Sequence, residues 1–140
     1  MLDWILQRFR RLFFGRKYEQ SNKQTVFFKN ITVLEKTPKY ENIKVKEFIE
    51  VVFNGKPYWA LFKCPCNCGE IISLPLQNTH IPNWNVKHSK NGRPSVYPSI
   101  WQNKGCLSHF WINDGRIDWC TNSGNAPSKR FTIELFRLTN

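Results

Sequence analysis

The residues whose types and spacing could do chemistry lie between Lys63 and Cys120. That span holds all five cysteines: Cys64, Cys66 and Cys68 in Cys-Pro-Cys-Asn-Cys-Gly, Cys106 in Gly105-Cys106-Leu107-Ser108-His109, and Cys120. Thiolate and imidazole donors suit Zn²⁺, and a structural site closes tetrahedrally with four of them. Two short donor clusters, distant in sequence, suit such a site.

Proline after the first cysteine and glycine after the last give the triplet the form of a zinc knuckle, a tight turn whose backbone N–H groups point at thiolates. A usual knuckle spaces its cysteines two residues apart, whereas here three alternate, so the spacing leaves open which of them bind. Cys106 and His109 form a C-x-x-H half-site ahead of Phe110, Trp111 and Ile112, which read as a strand. The candidates are therefore Cys64, Cys66, Cys68, Cys106 and His109, one more than a tetrahedral site takes. A disulfide framework competes, but the odd cysteine count and the lack of a secretory leader argue against it. Cys120 reads equally well as a small buried hydrophobe.

Catalysis is the weaker alternative. A catalytic zinc would keep three protein ligands and an open water position, with Glu70 or Asp114 as base, and a spare thiolate could accept an acyl group. Neither H-E-x-x-H, nor a nucleophile elbow, nor a phosphate loop is present. The run from Pro94 to Ile100 can bring hydroxyls near the metal, although no spacing demands it. His80 and His88, alone in a polar stretch, read as solvent-facing.

The elements that must position these groups read as mainly β, a small antiparallel β domain of zinc-ribbon-like character. Val26 to Phe28 and Ile31 to Leu34 read as one strand or two, and Phe48 to Phe53 with Pro57 to Phe62 flank Asn54-Gly55, a strong hairpin signal. Glu70 to Leu76 leads away from the cysteine triplet, and Phe110 to Ile112 with Ile117 to Cys120 make a further hairpin around Asn113-Asp114-Gly115. Between them, residues 77–103 read as turn-rich loop, and its Trp84, Tyr97 and Trp101 as a partner-binding surface. Phe131 to Leu138 reads as a final strand. Ahead of all this, Leu2, Ile5, Leu6, Phe9, Leu12 and Phe13 recur at three and four, predicting a basic amphipathic helix over 1–18 and a single zinc-binding domain over 19–140.

The chain is strongly basic, with 21 Lys and Arg against 10 Asp and Glu and a net charge of +11. Such a field attracts nucleic acid, acidic proteins or an anionic membrane, the last through residues 1–17. Basic residues interleaved with aromatics, such as Lys56, Trp59, Lys87 and Arg93, keep a nucleic-acid-binding alternative open. No apolar run approaches the ~20 residues of a spanning helix. Reduced, metal-bound cysteines point to the cytoplasm, with peripheral membrane contact through the helix as an option.

Phe62-Lys63-Cys64-Pro65-Cys66-Asn67-Cys68-Gly69-Glu70, Trp84, Pro98-Ser99-Ile100, Gly105-Cys106-Leu107-Ser108-His109-Phe110-Trp111-Ile112, Gly115-Arg116-Ile117 and Trp119 together resemble a small bacterial family marked by this metal-binding signature. Its members are often encoded beside ubiquitin-like proteins, conjugating-type and activating-type enzymes, and metalloproteases of the deubiquitinase type. The resemblance implies ligands at Cys64, Cys66, Cys68, Cys106 and His109. It also implies a protein partner, a ubiquitin-like protein or its conjugation enzymes. The expected function is a structural-zinc adaptor or accessory protein of a bacterial ubiquitin-like modification system, ligase-like and directed against phage. A nucleic-acid-binding zinc protein and a zinc- or thiol-dependent enzyme are the alternatives.

Overall fold

The computed structural model describes residues 25–127. The expected helix over 1–18 and the expected strand from Phe131 to Leu138 lie outside the described residues.

Among the described residues, eight strands form two four-stranded sheets. The first runs in the order β1 (Thr32–Leu34), β2 (Ile49–Phe53), β3 (Lys56–Lys63), β4 (Ile71–Pro75), and the second β5 (Asn85–His88), β6 (Pro94–Trp101), β7 (His109–Asn113), β8 (Arg116–Trp119). All neighbours are antiparallel except β1 and β2, which are parallel. The connection between these two crosses over with one short 3-10 turn at Tyr40–Asn42.

Two hairpin turns carry the signals read in the sequence. Asn54 and Gly55 adopt φ of 49° and 71°, and Asp114 and Gly115 adopt 48° and 73°. Positive φ at both central residues makes turns whose twist matches the flanking strands.

Alternation along β3 and β4 builds two cores. Ala60, Phe62, Ile72 and Leu74 face inward and meet Val96, Ile100, Phe110 and Ile112 of the second sheet, so the sheets pack face to face. Leu61, Ile49 and Val51 face the other way and are covered by Ile43 of the crossover. Phe28, Phe48 and Phe62 fill the centre, with centroid separations of 5.3 to 5.4 Å. Each buried phenyl contributes about 1.5–3 kcal/mol. Glu50, 6% exposed, is oriented into the inter-sheet space by the same alternation, and there its carboxylate pairs with Nε2 of His88 on β5. His88, expected to face solvent alone, thus ties the sheets together.

The prediction of loop over 77–103 is corrected, since β5 and β6 lie within it. Pro94 opens β6 and Pro98 sits in its bulge, positions where a missing N–H breaks no ladder bond. Conversely, Val26 to Phe28 forms no strand. The N–H groups of Phe27 and Phe28 instead both donate to the carbonyl of Gly115, at 2.8 and 2.9 Å.

Candidate functional site

The sulfurs of Cys64, Cys66, Cys68 and Cys106 lie within 4.8 Å of one another. Cys64 follows β3, the turn to β4 supplies Cys66 and Cys68, and the β6–β7 loop brings Cys106 across. Positive φ at Asn67 (71°) and Gly69 (85°) curls the triplet around a common centre. The alternating spacing has a local reason: the N–H of Cys66 meets the sulfur of Cys64, that of Cys68 the sulfur of Cys66, and that of Glu70 the sulfur of Cys68. Each thiolate would thus receive a backbone donor two residues on.

The donor set fits a metal ion. Tetrahedral bonds of about 2.3 Å place sulfurs about 3.8 Å apart, and Cys64 and Cys106 stand at 3.8 Å, Cys64 and Cys66 at 3.3 Å. All five cysteines are free thiols. Burial pushes the Cys64 thiol far up from its ordinary value, and burial also raises Cys68. Burial acts on Cys66 in the same direction, but hydrogen bonds from Ser108, Cys64 and Cys68 outweigh it and bring that thiol to about 6. Cys120 stands outside the group, its thiol raised by burial and by Asp118.

His109, expected as a fifth candidate ligand, also stands outside the group, because both ring nitrogens are engaged elsewhere. Nε2 lies 3.0 Å from the hydroxyl of Ser99, and Nδ1 lies 2.6 Å from Oδ1 of Asn122. In the tautomer protonated on Nδ1, that nitrogen donates to the amide oxygen and Nε2 accepts from Ser99. The spacing is the one that a nucleophile, its base and an orienting group require.

Three elements set that arrangement. His109 opens β7, where it pairs in register with Trp101 at the end of β6. Between the pairs Val96–Ile112 and Ile100–Phe110 the register shifts, so Tyr97, Pro98 and Ser99 stand opposite Trp111 alone. Such a bulge re-aims a side chain, here the Ser99 hydroxyl. Asn122 comes from the turn after β8. That turn is tied to His109 twice, by Cys120 N–H to the His109 carbonyl at 2.9 Å and by His109 N–H to the Ser123 hydroxyl at 2.9 Å.

The aromatic residues expected as a partner surface gather here. Trp101 lies flat on His109, with centroids 4.2 Å apart and planes 2° from parallel, and donates its indole N–H to the Asn125 carbonyl at 3.0 Å. Trp84 donates its own to the Ser99 carbonyl at 3.2 Å. Tyr97 is 68% exposed and stands against Trp111. Glu70 and Asp114, the candidate bases, take no part in the Ser99–His109–Asn122 hydrogen bonds. Asp114 is instead locked in the β7–β8 turn by Arg116 and the Ser95 hydroxyl.

Residues 34–120, more than half of the sequence, match the model of a family described as bacterial ubiquitination-like system serine protease (BubE). The chain belongs to the BubE family. The match spans the four cysteines, Ser99 and His109, and ends just before Asn122. No curated protein and no solved structure matches the chain. BubE membership accords with the ubiquitin-like system implied by the sequence signature, and Ser99, in the sequence one hydroxyl of the Pro94 to Ile100 run, is the serine that lies within hydrogen-bond reach of His109. A signal was present in Pro98-Ser99-Ile100, but with no Gly-x-Ser-x-Gly around it the serine carried no mark of a nucleophile. Asn122 carried none at all.

Proposed function

We propose that the protein is a serine hydrolase of a bacterial ubiquitination-like system, cutting acyl bonds to a protein substrate. The observation that carries this is the hydroxyl of Ser99 3.0 Å from Nε2 of His109, whose Nδ1 is held by Asn122. Ser99 Oγ attacks the substrate carbonyl while His109 Nε2 takes its proton, and an Oγ–C bond forms. The bond from that carbon to the leaving amine or alcohol breaks, and His109 returns the proton to the leaving group. Water then repeats the sequence and frees Ser99. Asn122 holds the ring in the productive tautomer without contributing a charge, as asparagine does in papain-like sites.

Cys64, Cys66, Cys68 and Cys106 would hold Zn²⁺ as a structural ion, since an all-thiolate set leaves no open position for water. When bound, the ion would supply a staple between the β3–β4 turn and the β6–β7 loop. Ser108 in that loop is 4% exposed, hydrogen-bonds to Cys64 and Cys66, and immediately precedes His109. The cysteines would thus fix the segment that carries the base.

The test is covalent labelling with a fluorophosphonate probe, read by intact mass. One adduct on the wild type that disappears in Ser99→Ala and in His109→Ala is the expected result. Labelling that persists in Ser99→Ala would remove Ser99 as nucleophile.

A further inference from the structure

A groove of about 350 Å³ lies between β4 and the end of β6. One wall is the run Ile71 to Leu74 of β4, and the other is built by Trp84, Ile100, Trp101 and Gln102. Trp84 donates to the Ser99 carbonyl and Trp101 stacks on the His109 ring, so the groove borders the site described above.

Among the described residues, β4 is the last strand of its sheet, with β3 on one side only. The ladder fixes which backbone groups turn outward. Glu70 accepts from Cys64 and Leu76 donates to Tyr58, so the even-numbered residues of this strand bond to β3. Antiparallel pairing alternates, so Ile71, Ser73 and Pro75 turn the other way. The Pro75 carbonyl confirms the parity by accepting from Trp84 N–H at 2.9 Å, and this also closes the edge at that end. Ile71 and Ser73 each present an N–H and a C=O toward the groove. An edge of this kind is a template for an extended chain.

None of the side chains that line the groove is charged. A second groove, of about 450 Å³ beside Tyr97 and Trp111, contains Lys87 and lies over one face of the second sheet instead of along β4.

We propose that the edge groove is the substrate channel: an extended, uncharged peptide segment adds to β4 as a further strand and delivers its carbonyl to Ser99. The proposal rests on the serine hydrolase function and names its substrate form, a protein whose scissile acyl group ends an extended neutral tail. Backbone pairing to Ile71 and Ser73 supplies register, and Trp84 and Trp101 exclude water beside the reacting carbonyl.

The experiment compares hydrolysis of p-nitrophenyl acetate with that of acetyl-tetra-alanine p-nitrophenyl ester by the full chain, with Ser99→Ala as control. The peptide ester is expected to show kcat/KM at least about tenfold higher, a gain lost when alternate amides of the peptide are N-methylated and kept when the intervening ones are. Ser73→Pro removes one outward N–H without touching the β3 ladder, and it is expected to lower kcat/KM for the peptide ester about tenfold more than kcat/KM for acetate. Equal kcat/KM for both esters, or N-methylation without a two-residue period, overturns the channel and leaves Ser99 as nucleophile. Absence of Ser99-dependent turnover of either ester overturns the hydrolase function itself, and the channel with it.

Discussion

The imidazole of His109 lies flat against the indole of Trp101, centroids 4.2 Å apart and planes 2° from parallel. The indole is anchored in turn on Asn125, three residues past the Asn122 that holds the other edge of the imidazole. A ring clamped on its face and its edge has one orientation available, and a π face beside it would favour the cation formed in the proposed proton transfer.

Trp101→Leu is therefore expected to slow fluorophosphonate labelling of Ser99 about tenfold with the fold retained, and Trp101→Phe to recover most of that loss. Labelling rates with circular dichroism as a control for folding check this. An unchanged rate in Trp101→Leu would show that Asn122 alone orients the ring.

Metal content separates the cysteines from the histidine. Cys106→Ser is expected to abolish bound zinc and lower thermal stability sharply, because metal binding free energy is folding free energy in a domain of this size. Cys120→Ser and His109→Ala are expected to keep the metal, and His109→Ala to lose labelling of Ser99. Elemental analysis of each variant decides, and zinc-free, folded His109→Ala protein would return that residue to the ligand set.

Gly115 admits no side chain. Its φ is 73°, and a Cβ there would stand 2.1 Å from the Phe28 carbonyl oxygen, inside the contact that ties the N-terminal stretch to the β7–β8 turn. Gly115→Ala is expected to cost roughly 3 kcal/mol or more in denaturant unfolding, combining the positive φ with a backbone clash. A loss under about 1 kcal/mol would mean that the turn relaxes freely.

The same turn supplies a pH dependence. The Ser89 hydroxyl, followed by Arg116 and Arg93, holds the Asp114 carboxyl below its ordinary value. A carboxyl depressed in the folded state stabilises above its unfolded pKa, and that contribution is lost as pH falls through the ordinary carboxylate range toward the folded value. Asp114→Asn is expected to melt below the wild type at pH 7, with the gap narrowing as pH falls below 4. A gap independent of pH would assign the effect to hydrogen-bond geometry instead of charge.

Much of the frame was legible in residues near one another in the chain. Asn54-Gly55 and Asp114-Gly115 fixed two hairpins because a positive φ is a property of the turn residues themselves. The cysteine triplet was legible for the same reason, since its N–H to sulfur contacts run between residues two apart. Strands β5 and β6 were hidden by Pro94 and Pro98, whose acceptability depends on a strand opening and a bulge that only sheet pairing creates.

By itself the sequence determined a mainly β chain with clustered thiols placed to hold a metal. The tertiary structure decided the fate of His109. The Cys106-x-x-His109 spacing suits a ligand, yet β7 begins at that histidine and its pairing with Trp101 turns the ring toward Ser99. A serine–histidine–asparagine trio drawn from a bulge, a strand start and a distant turn has no characteristic spacing, because register across strands sets its geometry.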